Sequence, residues 1–158
     1  MVKNLEIGDL APDFELPIEG EGVVALKALR GKPVALYFYP KDDTPGCTAE
    51  VAGFNALRAE FEAAGVALIG VSPDSAASHA KFKRKHDFAV PLAADESRSA
   101  IEAYGVWREK KLWGRTFMGV ERTTFLIDRT GRIVMIWRKV RVPGHASEVL
   151  DAARTAGR

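Results

Sequence analysis

An α/β fold, with a central mixed sheet flanked by helices, is what this sequence predicts, and three observations carry the prediction. Two continuous apolar runs, Val34 to Tyr39 and Val66 to Ser72, are closed by Pro40 and Pro73. Short runs of this kind, rich in β-branched or aromatic residues, mark strands buried on both faces. Between them lies a stretch with helical spacing, apolar at Val51, Phe54, Leu57 and Phe61, so the three form a βαβ unit with parallel strands and a right-handed crossover. Further on, Thr123 to Ile127 and Ile133 to Trp137 flank Asp128-Arg129-Thr130-Gly131, a turn sequence that makes the pair an antiparallel hairpin.

Taken in order, Met1 to Gly31 reads as one or two small strands covering an end of the domain: Ala11 to Pro17, a Gly- and Glu-rich turn, then Val23 to Leu26 and a short segment to Arg30. Val34 to Tyr39 is placed at the centre of the sheet. Thr44 followed by Pro45 is an N-cap with proline at the first helical position, which sets Cys47 in the first turn of a helix running to about Ala64 and ending at Gly65. Ser72-Pro73-Asp74-Ser75 starts the next helix, with Ala76, Ala80 and Phe82 inward. Its Lys81, Lys83, Arg84 and Lys85 make a solvated face rather than a phosphate site. Val90 to Ala94 is a short strand near an edge, since Pro91 cannot donate to a ladder. Ser97 caps a helix with Ala100, Ile101 and Tyr104 that ends at Gly105. Val106 to Val120 reads as an irregular loop in which Trp107, Trp113 and basic residues interleave. His145 begins a final helix with Val149, Leu150 and Ala153 on one face.

With 158 residues, 47% of them hydrophobic and 28% charged, the chain is expected to form one domain, residues 1–158. A net charge of +2 argues for neither a nucleic-acid nor a membrane partner. No stretch approaches the length of a membrane span, and Met1 to Glu6 lacks the apolar core of a signal peptide, so a reducing cytoplasm is the expected location. One cysteine allows no intramolecular disulfide and no CxxC pair. His79, His86 and His145 are scattered, with no acidic pair at metal-ligand spacing; they read as surface or capping residues, and no metal or cofactor is expected.

Chemistry concentrates at Cys47. Backbone N–H groups of a helix's first turn lack intrahelical partners and carry the positive end of the macrodipole, so they favour an anion such as a thiolate. Asp42, Asp43 and Glu50 oppose it, and a cation is needed nearby. The string Pro40-Lys41-Asp42-Asp43-Thr44-Pro45-Gly46-Cys47 has the spacing P-x-x-x-T-x-x-C and continues Thr48-Ala49-Glu50. It resembles the active-site signature of the peroxiredoxins, and Lys41 to Thr48 resembles their bacterioferritin-comigratory or Q-type subfamily. Gly8 to Phe14 is similar to the opening phrase of that family. Glu121-Arg122-Thr123-Thr124-Phe125-Leu126-Ile127-Asp128 resembles the segment that supplies an arginine over the reactive thiolate; on residues alone, Arg122 is one basic surface residue among many.

The resemblance implies a thioredoxin-like fold and a thiol-dependent peroxidase acting on hydrogen peroxide and organic hydroperoxides. In it Cys47 attacks the peroxide, Arg122 holds charge, Thr44 aims the substrate and Pro40 shields the sulfur. Glu50 either orients Arg122 or serves as a first-turn acid, and the Val106 to Val120 loop walls the pocket. Many members of the subfamily carry a resolving cysteine five residues after the first, where this chain has Ala52; others place it in the next helix, but Ser75 to His86 has none. The implied cycle therefore uses one cysteine in a monomer, with its sulfenic acid reduced by an external thiol (thioredoxin, glutaredoxin or glutathione) or through an intermolecular disulfide. The competing readings are a buried inert cysteine, a redox sensor without turnover, and a partner- or nucleic-acid-binding module built on the Val106 to Arg115 loop.

Overall fold

A computed structural model describes residues 4–18 and 22–156; the predicted Gly- and Glu-rich turn, at 19–21, and the first three residues lie outside the described part. Val34–Phe38 is strand β3, preceded by the short antiparallel strands β1 (Glu15–Pro17) and β2 (Val23–Ala25) and a 3-10 turn at Leu26–Leu29. Ala67–Ser72 (β4), Leu92–Ala94 (β5), Thr123–Ile127 (β8) and Ile133–Trp137 (β9) complete a five-stranded sheet of order β5-β4-β3-β8-β9. β3 pairs parallel with β4 and antiparallel with β8, so the sheet is mixed and β3 is its middle. The predicted edge strand β5 and the β8–β9 hairpin stand as the sequence implied.

All five residues of β3 are buried, and their alternation divides two cores. Val34, Leu36 and Phe38 face a cluster with Ile101, Tyr104 and Phe125; Ala35 and Tyr37 face one with Val51, Phe54, Phe61 and Leu150. A strand with apolar contacts on both faces has no polar side to offer water, which is why its sequence does not alternate. Opposite Tyr37 in the register stands Gly70. A Cβ there would lie 2.6 Å from the Tyr37 ring, so the bare glycine makes room for Tyr37 to stack on Phe54 at 4.3 Å.

The first long helix departs from expectation. It is two helices, α1 (Pro45–Ala56) and α2 (Arg58–Ala63), broken at Leu57, whose φ of −100° and ψ of 7° leave the helical range. Neither proline nor glycine marks the break. Phe61 remains buried beyond it, 6.0 Å from Phe54, and Gly65 ends the segment at φ +74° as predicted. α3 (Ala76–His86) is capped by Ser75, whose hydroxyl accepts from the Ser78 N–H. Its inward residues are His79 and Phe82, with Ala76 and Ala80 half-buried. α4 (Ser99–Ala103) is not capped by Ser97: Arg98 occupies that position in the left-handed region, and Asp95 reaches the helix instead, accepting from the Ile101 N–H at 2.8 Å.

A larger correction concerns Val106 to Val120. The segment is a second hairpin, β6 (Trp107–Leu112) and β7 (Arg115–Val120), closed by Trp113-Gly114 with φ of 51° and 75°. Two positive φ values in a two-residue loop define the turn type whose twist matches the strands. A charged run through the middle of β6, Arg108 to Lys111, rather than alternating apolar residues, hid the strand period. α5 (His145–Ala156) closes the fold and packs on α1. Among the described residues, no helix is long and apolar enough to cross a membrane.

Candidate active site

The pairing of Phe38 with Thr123 sets the residue before β8, Arg122, beside the C-terminal end of β3, where the chain turns through Pro40 to Thr44 into α1. Cys47 is the third residue of α1 and is 1% exposed. Arg122 spans the gap with its fork: Nη1 donates to Glu50 Oε1 at 2.7 Å and Nη2 to Cys47 Sγ at 3.4 Å. Gly46 leaves space for this, since a Cβ there would stand 3.1 Å from Nη2. Sequence spacing sets Cys47 and Glu50 on one helix turn but cannot show that Arg122 meets them; the β3–β8 register brings it there.

Burial raises the Glu50 carboxyl to about 7 against the pull of Arg122, and its Oε2 has no hydrogen-bond partner among the described residues. Burial works against the charge of Arg122, but Glu50 and Cys47 outweigh it and raise its pKa. Of the two readings of Glu50, partner of Arg122 or first-turn acid, the contact supports the first.

Thr44 has the extended backbone of an N-cap, but its hydroxyl donates to Lys41 O at 2.8 Å rather than capping the helix. Pro40 is half-buried where the loop opens. Asp42 and Asp43, expected to oppose a thiolate, turn toward α3. Asp43 pairs with Lys85 Nζ at 2.7 Å and His86 Nε2 at 2.9 Å, and those contacts, His86 first, hold its carboxyl below the usual range. Asp42 Oδ2 meets His79 Nδ1 at 2.7 Å, and Asp74 Oδ2 accepts from the Asp42 N–H at 2.8 Å.

His79 and His145 are therefore not surface residues; both are buried. The fold brings Asp42, Asp74 and His79 within 4.8 Å of one another, a grouping their spacing hid, and hydrogen bonds within the protein already engage the converging atoms. His145 Nε2 lies 2.8 Å from Thr124 Oγ1, and burial, with Arg122 nearby, lowers its pKa from 6.5 to about 4. A base depressed on folding binds its proton more weakly in the folded state, so His145 withdraws stability as pH falls from about 6.5 to 4. Glu50, raised on folding, acts with opposite sign between about 4.5 and 7. His145→Gln should flatten the acid limb: comparing urea midpoints at pH 7 and 4.5, the variant loses less than the wild type, and an equal loss would show that His145 does not titrate this way.

Beside Arg122 opens a cavity of about 540 Å³, walled by the β6–β7 hairpin through Lys110, Leu112 and Phe117 and by Lys139 and Val140 on the other side. The hairpin thus takes the place the resemblance gave it, although as a sheet and not a loop. A buried thiol at a helix N-terminus, bridged to a buried carboxylate by an arginine that lines a cavity, defines a cysteine-based redox enzyme on a thioredoxin-like fold.

Known proteins agree. A sequence profile of the AhpC/TSA family matches residues 7–136. Peroxiredoxin Bcp of Bacillus subtilis is 45% identical over 151 residues, covering 96% of each chain. A cysteine-to-serine mutant of Xylella fastidiosa PrxQ superposes with a TM-score of 0.92 at 38% identity over 99% of each chain. The bacterioferritin comigratory protein of Xanthomonas campestris, in a structure concerned with its alkyl peroxide reduction activity, matches with a TM-score of 0.87 at 43% identity over 92% of each chain. The chain belongs to the AhpC/TSA family, as a peroxiredoxin of the Bcp or PrxQ type with a single cysteine. It is a thiol-dependent peroxidase, with a hydroperoxide as substrate and a thiol as reductant.

Proposed function

We propose that Cys47 reduces hydrogen peroxide and organic hydroperoxides in a one-cysteine cycle completed by an external thiol. The observation that carries this reading is the fork of Arg122 between Glu50 and Cys47. The thiolate attacks the distal oxygen; the S–O bond forms as the O–O bond breaks, leaving a sulfenic acid and an alkoxide or hydroxide that takes up a proton. Arg122 stabilises the thiolate and then the charge developing on the oxygens. Glu50 fixes the guanidinium plane. Because the Thr44 proton is committed to Lys41, its oxygen is an acceptor for the peroxide O–H and aims the O–O bond at sulfur. Pro40, which has no N–H, screens the loop side of the sulfur without competing for the substrate.

The sulfenic acid condenses with an external thiol, releasing water, and a second thiol displaces the mixed disulfide to restore Cys47. Ala52 is exposed on α1 and Ser75 to His86 carries no sulfur, so the second thiol is not supplied by either neighbouring helix. Thioredoxin, glutaredoxin and glutathione are the reductants we favour, in a monomer and in a reducing cytoplasm, where a lone thiol stays reduced between turnovers. Residues 1–158 work as one domain, a reading supported by two cores that share one sheet.

Reduced protein mixed with one equivalent of peroxide in the presence of dimedone should form one adduct at Cys47, with the Cys47→Ser chain as blank. With a thiol in place of dimedone, peroxide consumption should continue for many turnovers. An adduct with no turnover on any of the three reductants would select the sensor reading, and no adduct would mean an inert cysteine.

A further inference from the structure

Lys110 differs from its neighbour Lys111 on the basic strand β6. Both line the cavity with Arg122, Glu121 and Phe117, but Lys111 is exposed whereas Lys110 is half-buried against it. The cross-strand neighbourhood explains how it lies there. Gly119 presents no side chain, and a Cβ on it would come within 3.2 Å of Lys110 Cδ. The aliphatic stem therefore lies flat over β7. Its charge is felt by both Arg122 and Cys47: burial and Arg122 lower the Lys110 pKa, while Cys47 and Glu121 raise it.

The peroxidase reading, on which this inference rests, leaves one requirement unassigned. When the O–O bond breaks, the proximal oxygen departs as a strong base and needs a proton. Arg122 does not deprotonate, and the Thr44 proton is held by Lys41 O. We propose that Lys110 is a further catalytic residue, the general acid that protonates the departing oxygen. In balanced form, thiolate, hydroperoxide and the Lys110 ammonium give sulfenic acid, alcohol and the neutral Lys110 amine, which regains its proton from water. The electron pair of the broken O–O bond stays on the alcohol oxygen, and sulfur is oxidised by two electrons.

The test varies how much the leaving group needs a proton. Single-turnover oxidation of Cys47 in the full chain is timed with tert-butyl hydroperoxide, which expels a strongly basic alkoxide, and with peracetic acid, which expels weakly basic acetate. General acids contribute about 10²–10⁴-fold where the leaving group is basic. Lys110→Met should therefore lower the ratio of the two rate constants, hydroperoxide over peracid, by at least about tenfold. Lys110→Arg keeps the charge without a transferable proton and should not restore the ratio. Gly119→Ala, which crowds the stem from a second position, should lower it as well. A ratio unchanged in Lys110→Met, or restored by Lys110→Arg, overturns the proposal. A wild-type chain inert to both oxidants would sink the peroxidase reading itself, and the proposal with it.

Discussion

Arg122→Ala should slow the oxidation of Cys47 by hydrogen peroxide at least about a hundredfold, the scale on which removing one donor to a developing oxyanion is felt. Two losses combine in that number: the cation 3.4 Å from the sulfur, and the fixed donor that meets charge as the O–O bond breaks. The fold should survive, because Glu50 can answer the loss by taking a proton. Its carboxyl is already raised to about 7 by burial with Arg122 opposing, and without Arg122 it moves further up. A raised carboxyl costs folded-state stability as pH climbs toward its folded pKa. The stability gap between wild type and variant should therefore widen from pH 7 to 8 in urea titrations, and adding Glu50→Gln should remove that widening while leaving the rate low. Arg122→Lys is a stricter trial, since one ammonium cannot reproduce the two-pronged contact. A rate reduced less than tenfold in Arg122→Ala would take Arg122 out of the chemistry.

What could be read in advance follows from how local each signal is. β3 and β4 announce themselves because strands buried on both faces are apolar without interruption, and Pro40 and Pro73 mark their ends. The turn before Cys47 is equally local, with Thr44, Pro45 and the thiol within four positions. The break at Leu57 carries no marker residue, and β6–β7 stays hidden because its hairpin turn, Trp113-Gly114, puts a tryptophan at φ 51°, where asparagine or aspartate is the usual signal. The site divides the same way. Cys47 and Glu50 share one helix turn, but Arg122 reaches them only through strand register, and on composition it is indistinguishable from the other basic residues. His79 gives no local sign of its burial, because its partners, Asp42 and Ala93, lie 37 and 14 residues away.

That histidine carries the other large effect. Asp42 receives the Tyr39 hydroxyl at 2.6 Å, His79 Nδ1 at 2.7 Å and Ser78 Oγ at 2.8 Å. The other ring nitrogen of His79 faces Ala93 O at 3.1 Å, so the imidazole bridges Asp42 to β5. Burial, with Asp42 adding to it, pushes Tyr39 up and keeps it the donor. The result is a buried hydrogen-bonded cluster pinning the residue midway between Pro40 and Thr44 to α3 and β5. Truncating the imidazole leaves the buried oxygens of Asp42 and Ala93 without their partner, and His79→Ala should destabilise the chain by about 1–3 kcal/mol. Asp42→Asn should cost less on its own, and the double variant should be less destabilised than the sum of the two, because the two single losses share one contact. Where the His79→Ala chain still folds, Cys47 should react more slowly, since the loop that carries Thr44 loses its anchor. A loss below about 1 kcal/mol would mean that the pair holds nothing. Full destabilisation with the wild-type rate of Cys47 oxidation would make the cluster a support of the fold alone, and the aim of Thr44 would then rest on its bond to Lys41.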